Sequence, residues 1–204
     1  MKLANAIATS AVVMVAIASP TSALQGRVER DLILSGEPVP SGTKASLGDH
    51  YRNGTQADEQ IKVVSMMNHP NYSENKPNSD DFMIVELERP SKFKPMELAA
   101  ADDSDFKPAS GCPVVSDDAC AAYATVDSSM VCAGSVANHN SCEGDSGGPL
   151  IIQSAEGEDV LVGIVSWAND DTCGREGYYG VYSRVSSARD WIETITSGSG
   201  TCLP

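Results

Sequence analysis

The chain has 204 residues, 41% of them hydrophobic and only 5% aromatic, and its 28 acidic against 14 basic side chains leave a net charge of −14. So acidic a chain, with no basic stripe to neutralise phosphates, argues against a nucleic-acid partner. The surplus of carboxylates suits solubility, or long-range attraction to a basic partner.

Lys2 is followed by an apolar run from Ala4 to Ala18, broken only by Asn5, Thr9 and Ser10, and then by small residues at Thr21 and Ala23. A charged start, a short apolar centre and an Ala-type cleavage site read as a secretory signal over residues 1–23. The run is too short and Ala-rich for a good membrane anchor, and no later stretch could span a bilayer. Residues 24–204 are then the size of one domain. In an exported chain, six cysteines without a Cys-x-x-Cys pair point to disulfides. The three histidines are scattered without zinc spacing, so neither a metal nor another cofactor is expected. Asn53-Gly54-Thr55 and Asn71-Tyr72-Ser73 are sequons, which suit glycosylated surface loops.

Past the leader, Leu32-Ile33-Leu34 is a short apolar run ahead of Gly and Pro punctuation. Ala45 to Tyr72 alternates and turns like β structure, with Asn53-Gly54 a hairpin signal. Within it, Ile61-Lys62-Val63-Val64 reads as a strand and His69-Pro70-Asn71-Tyr72 as the loop after it. Asp81-Phe82-Met83-Ile84-Val85-Glu86-Leu87 is an acid followed by a mostly apolar run, which Pro90 punctuates. Near the C terminus Ser187-Ala188-Arg189-Asp190 reads as a capping box. Trp191, Ile192 and Ile195 follow at helical spacing, which predicts a short helix packed on the core.

The chemistry is concentrated in Ser141-Cys142-Glu143-Gly144-Asp145-Ser146-Gly147-Gly148-Pro149-Leu150. A serine between Asp and two glycines, in a tight turn entering an apolar strand, holds a hydroxyl out for attack. The glycines admit close approach of a carbonyl, and neighbouring N–H groups can hold an oxyanion. GDSGGPL resembles the nucleophile loop of the trypsin-like serine proteases. That resemblance implies an all-β fold of two β-barrels with a short C-terminal helix. A first-barrel remnant is expected over about 24–105 and a second over about 111–204.

The same resemblance shows what is degraded. Asp81 matches the acid that orients the catalytic histidine, but the segment carrying that histidine is missing: Lys44 runs directly into Ala45-Ser46-Leu47-Gly48, which resembles sequence normally found after it. His50, His69 and His139 match positions away from the base, and each reads as a surface residue. A second gap falls where Gly111 runs into Cys112, so both barrels look truncated. The usual new N terminus would pair with Asp145, yet Ile33-Leu34-Ser35-Gly36 is preceded by Asp31-Leu32 and not by a basic cleavage site. Ser146 and Asp81 are thus remnants of a triad without a base, and Gly144 and Asp145 remnants of an oxyanion loop. Losing one triad member typically costs roughly 10⁴- to 10⁶-fold in turnover. In the specificity pocket, Asn140 stands where an Asp would select basic side chains, Ala168 replaces a Gly at the mouth, and Gly180 keeps the opposite wall small. The family disulfides correspond to Cys120–Cys132 and Cys142–Cys173, leaving Cys112 and Cys202, whose pairing the sequence leaves open.

Within this group, the stretches 32–44, 50–65 and 87–95 resemble the oomycete glucanase inhibitor proteins. That resemblance implies a secreted, inactive effector in the plant apoplast, which binds host endo-β-1,3-glucanases and blocks release of elicitor-active glucan fragments. Neither membrane nor nucleic acid is implied as a partner. The competing readings are an active secreted trypsin-like endopeptidase with an unidentified base, a chain missing segments and unable to fold, and adhesion to carbohydrate, for which aromatics are few.

Overall fold

The computed structural model describes residues 12–13, 39–48, 56–104, 114–137, 141–154, 157–169 and 174–196. Its strands are β1 (Val12–Val13), β2 (Lys44–Leu47), β3 (Glu59–Asn68), β4 (Met83–Leu87), β5 (Glu97–Leu98), β6 (Met130–Gly134), β7 (Pro149–Gln153), β8 (Asp159–Ala168) and β9 (Tyr179–Arg184). Two short helices, α1 (Asp117–Tyr123) and α2 (Arg189–Thr196), complete the order, the second entered through a 3-10 turn at Val185–Ala188. The chain divides into two compact units, one of residues 14–70 and 83–95, the other of residues 1–13, 71–82 and 96–204.

In the smaller unit β3 pairs antiparallel with β2 (Ala45 opposite Ile61) and with β4 (Met67 opposite Ile84). Strict alternation along β3 sends Glu59, Ile61, Val63, Ser65 and Met67 inward and Gln60, Lys62, Val64 and Asn68 outward. A fully buried Ile or Val contributes about 1.5–3 kcal/mol, so this apolar row sets the register. The same period corrects the expectation for His69. It follows the outward Asn68, so it turns inward and is buried, at 8% exposure. The Asn53-Gly54 turn and His50 lie outside the described residues.

The larger unit holds a sheet in the order β5-β8-β9-β6, with β7 paired to β8 on a separate branch. β5 runs parallel to β8, and the β6–β9, β7–β8 and β8–β9 pairs are antiparallel. β6 is an apolar run buried throughout, and β9 is buried apart from Tyr179, its polar Ser183 and Arg184 included. α1 was not foreseen. Ser116 caps it by accepting from the Ala119 N–H, and Asp117 and Asp118 suit the positive N-terminal end. Its one buried residue, Cys120, forms a disulfide with Cys132 of β6. Arg184, buried at the end of β9, holds the same helix by pairing with Asp117 and, at 2.8 Å, with Asp103.

The C-terminal helix forms as its periodicity predicts, but the capping box does not. Ser187 lies in the 3-10 turn and its hydroxyl donates back to the Arg184 carbonyl at 2.7 Å, so it caps nothing. The architecture is all-β, as the sequence leads one to expect, with α1 an addition to the expected C-terminal helix.

Candidate functional site

The loop from Ser141 to Pro149 is built by its own backbone. The Asp145 N–H donates to the Cys142 carbonyl at 3.0 Å, and the Gly148 N–H to the Asp145 carbonyl at 2.7 Å. Gly144 and Gly147 take φ of 95° and 83°, which side chains rarely adopt. Gly148 is demanded by space instead: a Cβ there would lie 2.8 Å from the Asp145 carbonyl oxygen. β8 then anchors the loop, because the Gly147 N–H reaches the Val165 carbonyl and the Val165 N–H reaches the Gly148 carbonyl, each at 2.9 Å.

Ser146 is exposed at the tip. Among the described residues its hydroxyl has no hydrogen-bond partner, and the N–H groups of Gly144 and Ser146 donate to none of them. These residues line an open depression of about 660 Å³ together with Ser141, Val165 and Tyr182. Asp145 is also exposed, and its carboxylate accepts from the Cys142 N–H at 2.9 Å. Turned outward, it escapes the cost that a buried, unpaired carboxylate would carry. It also leaves a negative charge one residue from the hydroxyl, next to the exposed Glu143, which disfavours an oxyanion there.

Asp81 is placed differently. It is 1% exposed, at the centre of a tight turn in which the Phe82 N–H reaches the Asp80 carbonyl at 2.8 Å. Ser166 Oγ donates to its Oδ2 at 2.7 Å, and Ser183 Oγ donates to its carbonyl at 2.9 Å. Ser166 is aimed there by a bulge: β8 and β9 pair Val165 with Tyr182 and Trp167 with Val181, so Ser166 is the extra residue. Val165 and Ser166, adjacent on β8, therefore hold the nucleophile loop and Asp81 respectively. Sequence reasoning missed Ser166, since nothing local marks where a strand bulges.

Ala168 and Gly180 are cross-strand partners, the first exposed and the second buried. At Gly180 a Cβ would meet Ser141 Oγ at 2.6 Å and the Tyr182 ring at 3.0 Å. The space a side chain would occupy is thus already filled by these two groups. Nearby, the Trp167 Nε1 is buried with no partner among the described residues. Cys142 is disulfide-bonded. Asn140, His139, Cys173, Cys112, Cys202 and Asn53 lie outside the described residues, whereas Asn71 stands exposed in a turn. No group of three or more His, Cys, Asp or Glu among the described residues could hold a metal.

An exposed serine sits on a Gly-Asp-Ser-Gly-Gly turn moored to the strand that also holds a buried aspartate. A family model, trypsin, matches residues 28–115 and 109–192. The chain belongs to the trypsin family. This trypsin-family chain is 36% identical to glucanase inhibitor protein 3 of Phytophthora infestans, over 97% of itself and all of that relative. To glucanase inhibitor protein 2 of Phytophthora sojae it is 39% identical, over 74% of itself and 60% of that protein. Transmembrane protease serine 11G of Mus musculus is 33% identical, over 67% of the chain and 39% of the relative. The first alignment runs to 265 positions against a chain of 204, so the relative carries segments that this chain lacks. The family model matches in two pieces that overlap over residues 109–115, the stretch in which one of the two gaps is expected.

Proposed function

We propose that this is a secreted, catalytically inactive member of the trypsin family that binds and inhibits endo-β-1,3-glucanases of a host plant in the apoplast. In that role it suppresses release of elicitor-active glucan fragments. The observation that carries the inactivity is at Ser146, whose hydroxyl meets no proton acceptor among the described residues. A serine without a base is a poor nucleophile at neutral pH. The outward Asp145 supports the same reading, because the family's oxyanion loop depends on that side chain being drawn inward. The glucanase target is supported by the names of the relatives across the full length of one of them.

Several parts of this reading stand together: a signal over 1–23, barrel remnants over about 24–105 and 111–204, disulfides at Cys142–Cys173 and among Cys112 and Cys202, and glycans on Asn53 and Asn71. Ser146, Asp81, Gly144 and Asp145 act as a retained frame, and Asn140, Ala168 and Gly180 as an altered pocket. The rival is an active secreted endopeptidase, favoured by the intact Asp81–Ser166 pair.

A serine-directed fluorophosphonate, applied to the purified mature chain, separates the two. The expected outcome is no labelling at Ser146, together with slowed laminarin hydrolysis when the chain is added to a plant endo-β-1,3-glucanase. Robust labelling that Ser146→Ala abolishes would overturn the inactive reading. Unchanged laminarin hydrolysis, with no glucanase retained on the immobilised chain, would remove the inhibitor assignment.

A further inference from the structure

The smaller unit carries a feature that a degenerate protease site does not explain. Glu59 sits on the inward face of β3 with its side chain 7% exposed, and its three side-chain hydrogen bonds among the described residues all go to one loop. Its carboxylate accepts from the Ser91 hydroxyl, from the Lys92 N–H at 3.0 Å and from Arg89 Nη1 at 3.2 Å. Ser91 Oγ in turn accepts from the Phe93 N–H at 3.1 Å. At the head of the loop the Glu88 N–H reaches the Lys62 carbonyl at 2.9 Å. One buried acid thereby fixes three consecutive residues, 91 to 93.

What the loop presents is an aromatic ring among cations. Phe93 is 43% exposed, whereas Phe82, in the other unit, is buried at 2%. Its ring tip rests on Gly48, where an added Cβ would lie 2.9 Å from Phe93 Cζ, so the ring is seated rather than swinging. The Lys92 ammonium lies 5.5 Å from the ring centroid. Lys92 and Lys94 adjoin Phe93 in sequence, Arg89 is paired with Glu59, and the loop's one acid, Glu88, is bridged to Lys62 at 3.8 Å. In a chain of net charge −14 this basic loop stands against the prevailing sign.

We propose that the loop 88–94, pinned by Glu59 and presenting Phe93 between Lys92 and Lys94, is the element that docks a protein partner, seating the ring in an apolar pocket rimmed by carboxylates. A held aromatic loses little freedom on binding, and such residues at the centre of an interface carry much of its energy. The flanking lysines choose an acidic rim and speed encounter with it. An extended anionic surface, bilayer or polysaccharide, fits poorly, since the chain as a whole is repelled by it. This inference rests on the inhibitor reading for the identity of the partner, a plant endo-β-1,3-glucanase.

The test measures glucanase binding by the full mature chain and by three variants, each with its thermal unfolding. Phe93→Ala is expected to weaken binding on the order of 30-fold, with a small drop in unfolding temperature from the lost contact with Gly48. Lys92→Glu combined with Lys94→Glu is expected to slow association and flatten its salt dependence. Both lysines are exposed, and this variant leaves the Phe93 side chain itself in place. Lys76→Glu, an exposed charge reversal in the other unit, is expected to bind as the parent does. Parental affinity in both loop variants would overturn the loop assignment and leave the inhibitor reading standing. A parent chain that does not bind the enzyme overturns both.

Discussion

Asp81 is the residue whose burial most needs a physical account. Its carboxylate is 1% exposed and takes the Ser166 hydroxyl at 2.7 Å, while its carbonyl takes that of Ser183. A buried charge is tolerated only while its donors remain, and losing one costs about 1–3 kcal/mol. Ser166→Ala is therefore expected to lower the unfolding free energy by about that amount, read from urea titrations. Ser183→Ala, at a neutral carbonyl, is expected to cost about 1 kcal/mol. Full stability in Ser166→Ala would show that Asp81 does not depend on this donor. Taken alone, the Asp80-Asp81 pair reads as a solvated turn; Asp81 was legible through its match to the family segment. Ser166 was not, since its aim depends on a bulge set by pairing with β9, a long-range event with no local mark. His69 shows the complementary case: its burial follows from alternation along β3, once that strand is known to run to Asn68.

At the level of elements, local chemistry was readable where it was self-contained and misleading where competing bonds were available. The 191–195 periodicity gave α2, but Ser187 found the Arg184 carbonyl first and the cap was lost. α1 escaped notice although Ser116, Asp117 and Asp118 are a good helix start, because its seven residues show hardly any apolar period. The nucleophile turn was legible in its glycines, fixed by φ and by contact within ten residues, but not in its anchoring to Val165. The Glu59 loop was not, because 30 residues and more separate the acid from what it holds. That loop makes a pH-dependent claim. The Ser91 hydroxyl holds the Glu59 carboxyl below its ordinary value of 4.5; burial opposes this, and the Lys92 N–H and Arg89 reinforce it. A lowered folded value means the carboxylate's contribution is fully present above the unfolded value and is lost as pH falls through the folded one. Between about pH 7 and pH 3, the stability gap between the parent and Glu59→Gln is expected to stay constant, then close below the ordinary value. A gap that widens on acidification would contradict this, as would one that never changes.

Charge is partitioned at the scale of the whole molecule. The residues of the smaller unit carry eight acidic and eight basic side chains, and those of the larger carry 20 and six, so the entire excess of −14 lies in the larger unit. Such self-repulsion destabilises a compact state and is long-ranged, whereas salt screens it beyond roughly 10 Å at 0.1 M. The favourable pairs that salt could also weaken are shorter-ranged, and Arg184, with 9% of its side chain exposed, is sheltered from it. Repulsion is therefore the larger salt-sensitive contribution in the larger unit, and the pairs with Asp103 and Asp117 the smaller. Raising sodium chloride from about 10 mM to about 0.5 M is expected to raise the melting temperature of that unit. The rise should be steepest below about 0.1 M, where screening changes fastest. Hydrogen exchange followed unit by unit is the measurement that checks it, because the electrically balanced smaller unit should respond less. A melting temperature that falls with salt would mean that exposed ion pairs outweigh the repulsion. The surplus charge would then have to be offset within the larger unit by contacts of its own.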